Sequence, residues 1–173
     1  REWKDGDEVV ATFPMKFTYR KWQQNKNCAA IDYGPLTFSL KIGENYVKKS
    51  GKQNAMGDSG WQEGANEEDW PSFDILPTTP WNYGIVDPAT LDLSKIELIR
   101  KEWPADNFPW TLDAVPYSIK LSGKKIPSWT FDEFGLPAPV PASPAATDEP
   151  LEELELVPMG AARLRISAFP TVE

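Results

Sequence analysis

Eight tryptophans are the residues in excess, and six of them, Trp61, Trp70, Trp81, Trp103, Trp110 and Trp129, fall in or beside stretches without strand or helix periodicity. An indole face can stack on the C–H face of a pyranose or furanose ring, so loop-borne tryptophans could form a sugar platform or a contact with another domain. The plainer alternative is that each one seals a loop onto the core, burying about 150–250 Å² of ring. Trp61, Trp70, Trp81, Trp103 and Trp110 are the candidate carbohydrate or domain contacts. The 26 acidic residues could supply the two carboxylates of a glycosidase, yet no spacing selects a pair. The run Glu67-Glu68-Asp69 beside Trp70 reads first as solvated charge and second as a sugar-contacting loop. Histidine is absent, which removes the commonest general base and the commonest metal ligand. No dinucleotide fingerprint, P-loop or calcium loop occurs, and Asp5-Gly6-Asp7 is too short for an EF-hand and marks a tight turn. The sequence therefore offers no catalytic residue, no metal site and no cofactor site.

Composition narrows the partners. A net charge of −8 repels phosphate backbones and anionic headgroups, which argues against nucleic acid and membrane surfaces. Short basic pairs such as Lys48-Lys49 and Lys124-Lys125 are expected at turns or strand edges. The first residues lack an apolar leader core, and no run approaches the roughly 18 apolar residues of a membrane span. The compartment stays open. One cysteine, Cys28, lies in the apolar run Cys28-Ala29-Ala30-Ile31, where a small buried thiol is the ordinary reading and an intrachain disulfide is impossible.

The elements that must position these side chains are strands. Period-two alternation with aromatic and β-branched residues marks Glu8–Phe13, Lys16–Trp22, Ala29–Tyr33 and Leu36–Ile42. Gly43-Glu44-Asn45 is expected to turn the chain into Tyr46–Lys49. From Ser50 to about Ser72 the pattern fails, and a long surface loop is expected. Strand signals return at Asn82–Val86, Ile96–Arg100, Tyr117–Leu121, Leu151–Val157 and Ala162–Phe169. Between them lie a loop from Trp103 to Ala114, rich in Trp, Pro and Asp, and a Pro-rich extended crossing over residues 130–150. Short strands, Gly/Pro turns and no sustained 3.6-residue period predict an all-β fold. The expected form is an antiparallel two-sheet β-sandwich, jelly-roll-like, with long Pro- and Trp-rich loops and a single domain over residues 1–173.

Several stretches, in order, resemble a known family. Trp3-Lys4-Asp5-Gly6-Asp7 with Phe13-Pro14-Met15, then Ile31-Asp32-Tyr33-Gly34-Pro35-Leu36, is similar to the segment that follows the catalytic barrel in bacterial β-L-arabinofuranosidase-type glycoside hydrolases. Trp81-Asn82-Tyr83-Gly84, Ala114-Val115-Pro116, Lys125-Ile126-Pro127-Ser128-Trp129 and the stretch from Leu156 to Pro170 resemble its C-terminal half. The resemblance implies a non-catalytic accessory sandwich, cut from a longer chain and packed on an N-terminal helical barrel that carries the active site. It implies arabinose-containing glycans as the parent's substrates and is compatible with a periplasmic or secreted parent. The family's cysteine nucleophile and zinc ligands have no counterparts here, and Cys28, in an expected core strand, does not take that role. A free-standing carbohydrate-binding module and a purely structural or interaction domain are the alternatives. The accessory reading requires a bare apolar surface, and the binding module requires an exposed row of aromatic rings.

Overall fold

Alternation in the sequence becomes pairing in the fold wherever a neighbouring strand is available. The computed structural model describes residues 2–51, 63–133 and 135–173, and the architecture is all-β. Among the described residues ten strands follow one another: β1 (Phe17–Trp22), β2 (Cys28–Tyr33), β3 (Leu36–Leu40), β4 (Glu44–Lys49), β5 (Ser72–Pro77), β6 (Tyr83–Val86), β7 (Ile99–Arg100), β8 (Tyr117–Lys125), β9 (Glu152–Pro158) and β10 (Thr171–Val172). Eight form one curled sheet in the order β1-β2-β3-β9-β8-β6-β10, with β7 paired to β8, while β4 and β5 form a separate two-stranded ladder. All pairs are antiparallel except β10 with β6.

Local chemistry explains the joints. Gly34 and Pro35 close the β2–β3 hairpin, and Gly34 sits at φ +55° with Met15 directly over it, so a Cβ there would be strained and would strike the thioether. Beyond the first hairpin the core gathers Ile31, Phe38, Leu40, Ile119, Leu156 and Phe169, each at most 3% exposed. The Pro-rich crossing lies extended over this core: Ala138, Val140 and Ala145 pack against it. Its backbone is tied down by Ser143 N–H to the Lys26 carbonyl at 2.9 Å and Ala145 N–H to the Thr171 carbonyl at 2.7 Å.

Four expectations are corrected. Residues Glu8–Phe13 form no strand, and Val9, Val10 and Phe13 stand 70–84% exposed, because no strand among the described residues lies beside them. Gly43-Glu44-Asn45 is not a hairpin turn: β4 already begins at Glu44 and pairs with β5, which lies across the expected loop end. The Ile96–Arg100 strand shrinks to Ile99–Arg100 after a 3-10 turn, Leu93–Lys95, capped by the Asp92 side chain. Ala162–Phe169 runs beside the sheet with a single bridge, Ala29 to Phe169, rather than as a strand.

One ion pair fastens the edge strand. Arg20 on β1 donates Nε to Asp32 Oδ2 at 2.6 Å and Nη2 to Oδ1 at 2.9 Å, and the Thr37 hydroxyl donates to the same Oδ1 at 2.6 Å. Burial opposes the Asp32 charge, but the bonds from Arg20 and Thr37 outweigh it and hold the carboxyl below its ordinary range. A folded pKa below the unfolded value contributes stability above about pH 4 and loses it as pH falls through the lowered pKa. Acid unfolding of Asp32→Asn should therefore start from lower stability at neutral pH and show a shallower loss below about pH 4 than wild type. Parallel curves would remove the pair from the stability balance.

Cys28 is fully buried on β2, and burial pushes its thiol pKa up. A thiol reagent should label it slowly in the native protein and rapidly in denaturant. Rapid native labelling would show that β2 opens without global unfolding.

Candidate functional site

The tryptophans separate into three environments. Trp61 lies outside the described residues. Trp70, on the turn into β5, is 72% exposed, and its neighbours Glu67 and Glu68 are engaged: the Ser50 hydroxyl donates to Glu67 at 2.7 Å and Lys48 pairs with Glu68 at 2.9 Å. The acidic run thus ties the turn to β4. Trp81 and Trp129 are core residues, 8% and 4% exposed, packed edge-on with ring centres 5.1 Å apart. The Trp129 indole N–H donates to the Ala138 carbonyl at 2.8 Å. Their placement beside turns reflects Pro80 and Pro127, which end local periodicity without exposing the rings.

Trp103 and Trp110 come together. Both line one small apolar pocket with Leu36, Pro109, Tyr117 and Pro158, and each remains about half exposed. Their loop is held by its own bonds: Trp103 Nε1 donates to Asn107 Oδ1 at 2.7 Å, with Asn107 at φ +58°, and Lys101 N–H reaches the Pro116 carbonyl at 2.8 Å. Trp110 lies against Gly160, where a Cβ would crowd the indole at 3.2 Å.

An apolar surface lies elsewhere, at a groove of about 440 Å³. Its floor includes Ile42, Ile166 and the edge of Trp81, and its walls come from Ile75 and Leu76 of β5 and from Phe131 and Leu136. The wall at Leu136 is a tight turn in which Asp132 N–H donates to the Leu136 carbonyl at 2.7 Å and the Asp132 carboxylate accepts the Leu136 N–H at 2.9 Å. Phe131 packs on Trp81 at 4.6 Å. The turn leaves Leu136 61% exposed, and Leu76 opposite is 49% exposed. Arg163 and Arg165 line the same groove, and neither has a carboxylate partner among the described residues. In a chain with 26 acidic residues, two arginines without a carboxylate partner beside apolar side chains form a distinct chemical surface. Sequence reasoning missed it because Leu76, Leu136 and Arg163 lie far apart in the chain. The alternation around Leu164 and Ile166 was its one visible trace.

Among the described residues no group of three or more Cys, Asp or Glu side chains is placed to hold a metal ion. No family model, curated protein or solved structure matches the chain.

The burial contrast gives a direct test. Trp81→Ala should cost about 3–5 kcal/mol, as expected for a large core side chain, whereas Trp70→Ala should stay within about 0.5 kcal/mol of wild type. Urea unfolding of the two variants measures both, and equal losses would contradict the assignment of Trp81 to the core and Trp70 to the surface.

Proposed function

We propose that this chain is a non-catalytic accessory β domain of a β-L-arabinofuranosidase-type glycoside hydrolase, docked on the helical catalytic barrel through the Arg-rimmed apolar groove. The observation that carries the reading is the groove itself. Exposed Leu76, Phe131 and Leu136 form a surface that water solvates poorly, and burial of such side chains against a partner is favourable at roughly 25 cal/mol per Å². Arg163 and Arg165 set the partner's chemistry: it presents apolar side chains with carboxylates at their margin, which complement two guanidinium groups and stabilise the register of docking. The ordered resemblance of the chain's segments to the region after the catalytic barrel supports the identity of that partner. The exposed Val9, Val10 and Phe13 supply a further apolar surface for the same assembly.

Two measurements test this. The chain alone should not hydrolyse aryl arabinofuranosides or other aryl glycosides; turnover abolished by replacing one of its own carboxylates would make it an enzyme instead. Leu136→Glu should leave the melting temperature of this chain nearly unchanged, because the side chain is exposed, yet shorten the thermal half-life of a longer protein in which the domain follows its barrel. Equal half-lives in the longer protein would remove the groove from the interface.

A further inference from the structure

On another part of the surface, where the β3–β4 connection, the segment after β5 and the loop before β8 meet, lies an open cleft of about 830 Å³. Its functional side chains are Lys41, Glu44, Tyr46, Thr78, Asp113 and Glu155. Part of this set is locked. Glu44 accepts the backbone N–H groups of Arg163 at 2.7 Å and Leu164 at 3.3 Å with one carboxylate oxygen, and the Tyr46 hydroxyl at 2.8 Å with the other. Tyr46 is therefore anchored at its hydroxyl, Phe73 meets its ring edge-on at 6.1 Å, and the ring is still 49% exposed. Lys41 and Glu155 form a half-buried pair at 2.8 Å. Burial opposes the Glu155 charge, but the Lys41 bond and charge outweigh it and hold the carboxyl below its ordinary range.

Another part is open. Asp113 and the Thr78 hydroxyl make no hydrogen bond or ion pair with any described residue. The cleft thus combines a fixed aromatic ring, an ammonium, hydroxyls and carboxylates within one concavity whose size suits a ligand of several hundred Å³. Three carboxylates disfavour an anionic ligand. Lys41 offsets Glu155, and Glu44 is solvated by three protein donors, so Asp113 is the carboxylate left open to accept hydrogen bonds from a ligand. Sugar hydroxyls both donate and accept, and the mixed set of Lys41, Thr78, Asp113 and Glu155 can satisfy both roles at once.

We propose that this cleft binds a short neutral oligosaccharide, with one ring laid on Tyr46 and hydroxyl groups bridging Lys41, Glu155 and Asp113. The site is made of residues other than the groove's apolar walls, so it stands or falls separately from docking on a barrel. Calorimetric titration of the chain with neutral oligosaccharides of arabinose, xylose and glucose should give saturable binding to at least one. Tyr46→Ala and Asp113→Asn should each weaken it by about tenfold, the weight of one well-formed contact. Tyr46→Phe, which keeps the ring and loses only the Glu44 bond, should retain most of the affinity, and Lys120→Ala should leave it unchanged. Raising salt from about 50 to about 500 mM should change the affinity little, since no ligand charge is screened. Absence of binding to all three probes at millimolar concentration would overturn the proposal. Binding that survives Tyr46→Ala but is lost in Trp103→Ala would overturn it as well, by moving the sugar to the tryptophan loop.

Discussion

The tail from Leu164 to Val172 is the seam on which the curled sheet depends. Ala29 and Phe169 exchange two backbone bonds at 2.8 Å, Leu40 N–H donates to the Ile166 carbonyl at 2.8 Å, and Ile85 N–H donates to the Pro170 carbonyl at 3.0 Å. Those three contacts touch the neighbouring strands β2 and β3 and also β6, which lies beyond β9 and β8 in the sheet. The tail also accepts the Pro-rich crossing at Thr171 and pairs β10 in parallel with β6. Phe169, fully buried, is the side chain that this backbone stitching drives into the core. Buried backbone groups left without these partners would carry a desolvation penalty at several places at once, so the seam and the core form together or not at all.

Both concave surfaces follow from the seam. Leu164 and Ile166 enter the groove from the segment that Ile166 anchors to β3, and the adjacent Arg163 and Leu164 N–H groups are held by Glu44 at the start of β4. The same carboxylate that fixes the groove's tail also fixes the tyrosine of the cleft. The apolar groove and the cleft are thereby mounted on one hydrogen-bonded joint. Sites held by such second partners keep their geometry without a ligand, which lowers the entropic cost of binding.

Much of this architecture was legible in the sequence, and the failures have a common cause. Strands β2, β3, β6, β8 and β9 alternate or run apolar because they face the core, and periodicity finds them; β1 alternates as well, although only Phe17 packs on the core and the rest of the strand is exposed. β5 escaped notice because Ser72-Phe73-Asp74-Ile75-Leu76-Pro77 is stabilised by its ladder with β4 and stays largely exposed, so burial leaves little pattern on it. Glu8–Phe13 shows the converse: the alternation is present, but a strand exists only where another chain segment accepts its hydrogen bonds. Trp81 and Trp129 fall in or beside stretches without periodicity, whereas their burial is decided by the crossing, through Ala138, and by Phe131. Trp103 and Trp110 were recognisable as candidates, but their shared pocket depends on Leu36 and Pro158, which no local window connects to them.

Charge placement completes the logic of the surface. Along β4, β5, β8 and β9, basic residues meet acidic ones across the ladder or across a turn, as in Lys49 with Asp74 and Lys120 with Glu153. Such exposed pairs contribute little energy each, but they place opposite charges side by side and protect strand edges from pairing with other chains. Against that background, Arg163 and Arg165 depart from the pattern, since neighbouring acids pair with other groups and leave both guanidinium groups at the groove. Asp113 is an exposed carboxylate at the cleft without an ion-pair partner among the described residues. Other charges, Arg100 and Glu97 among them, also lack an ion pair among the described residues, so what separates Arg163, Arg165 and Asp113 from ordinary solvated surface is that each lines a concavity shared with apolar or aromatic side chains.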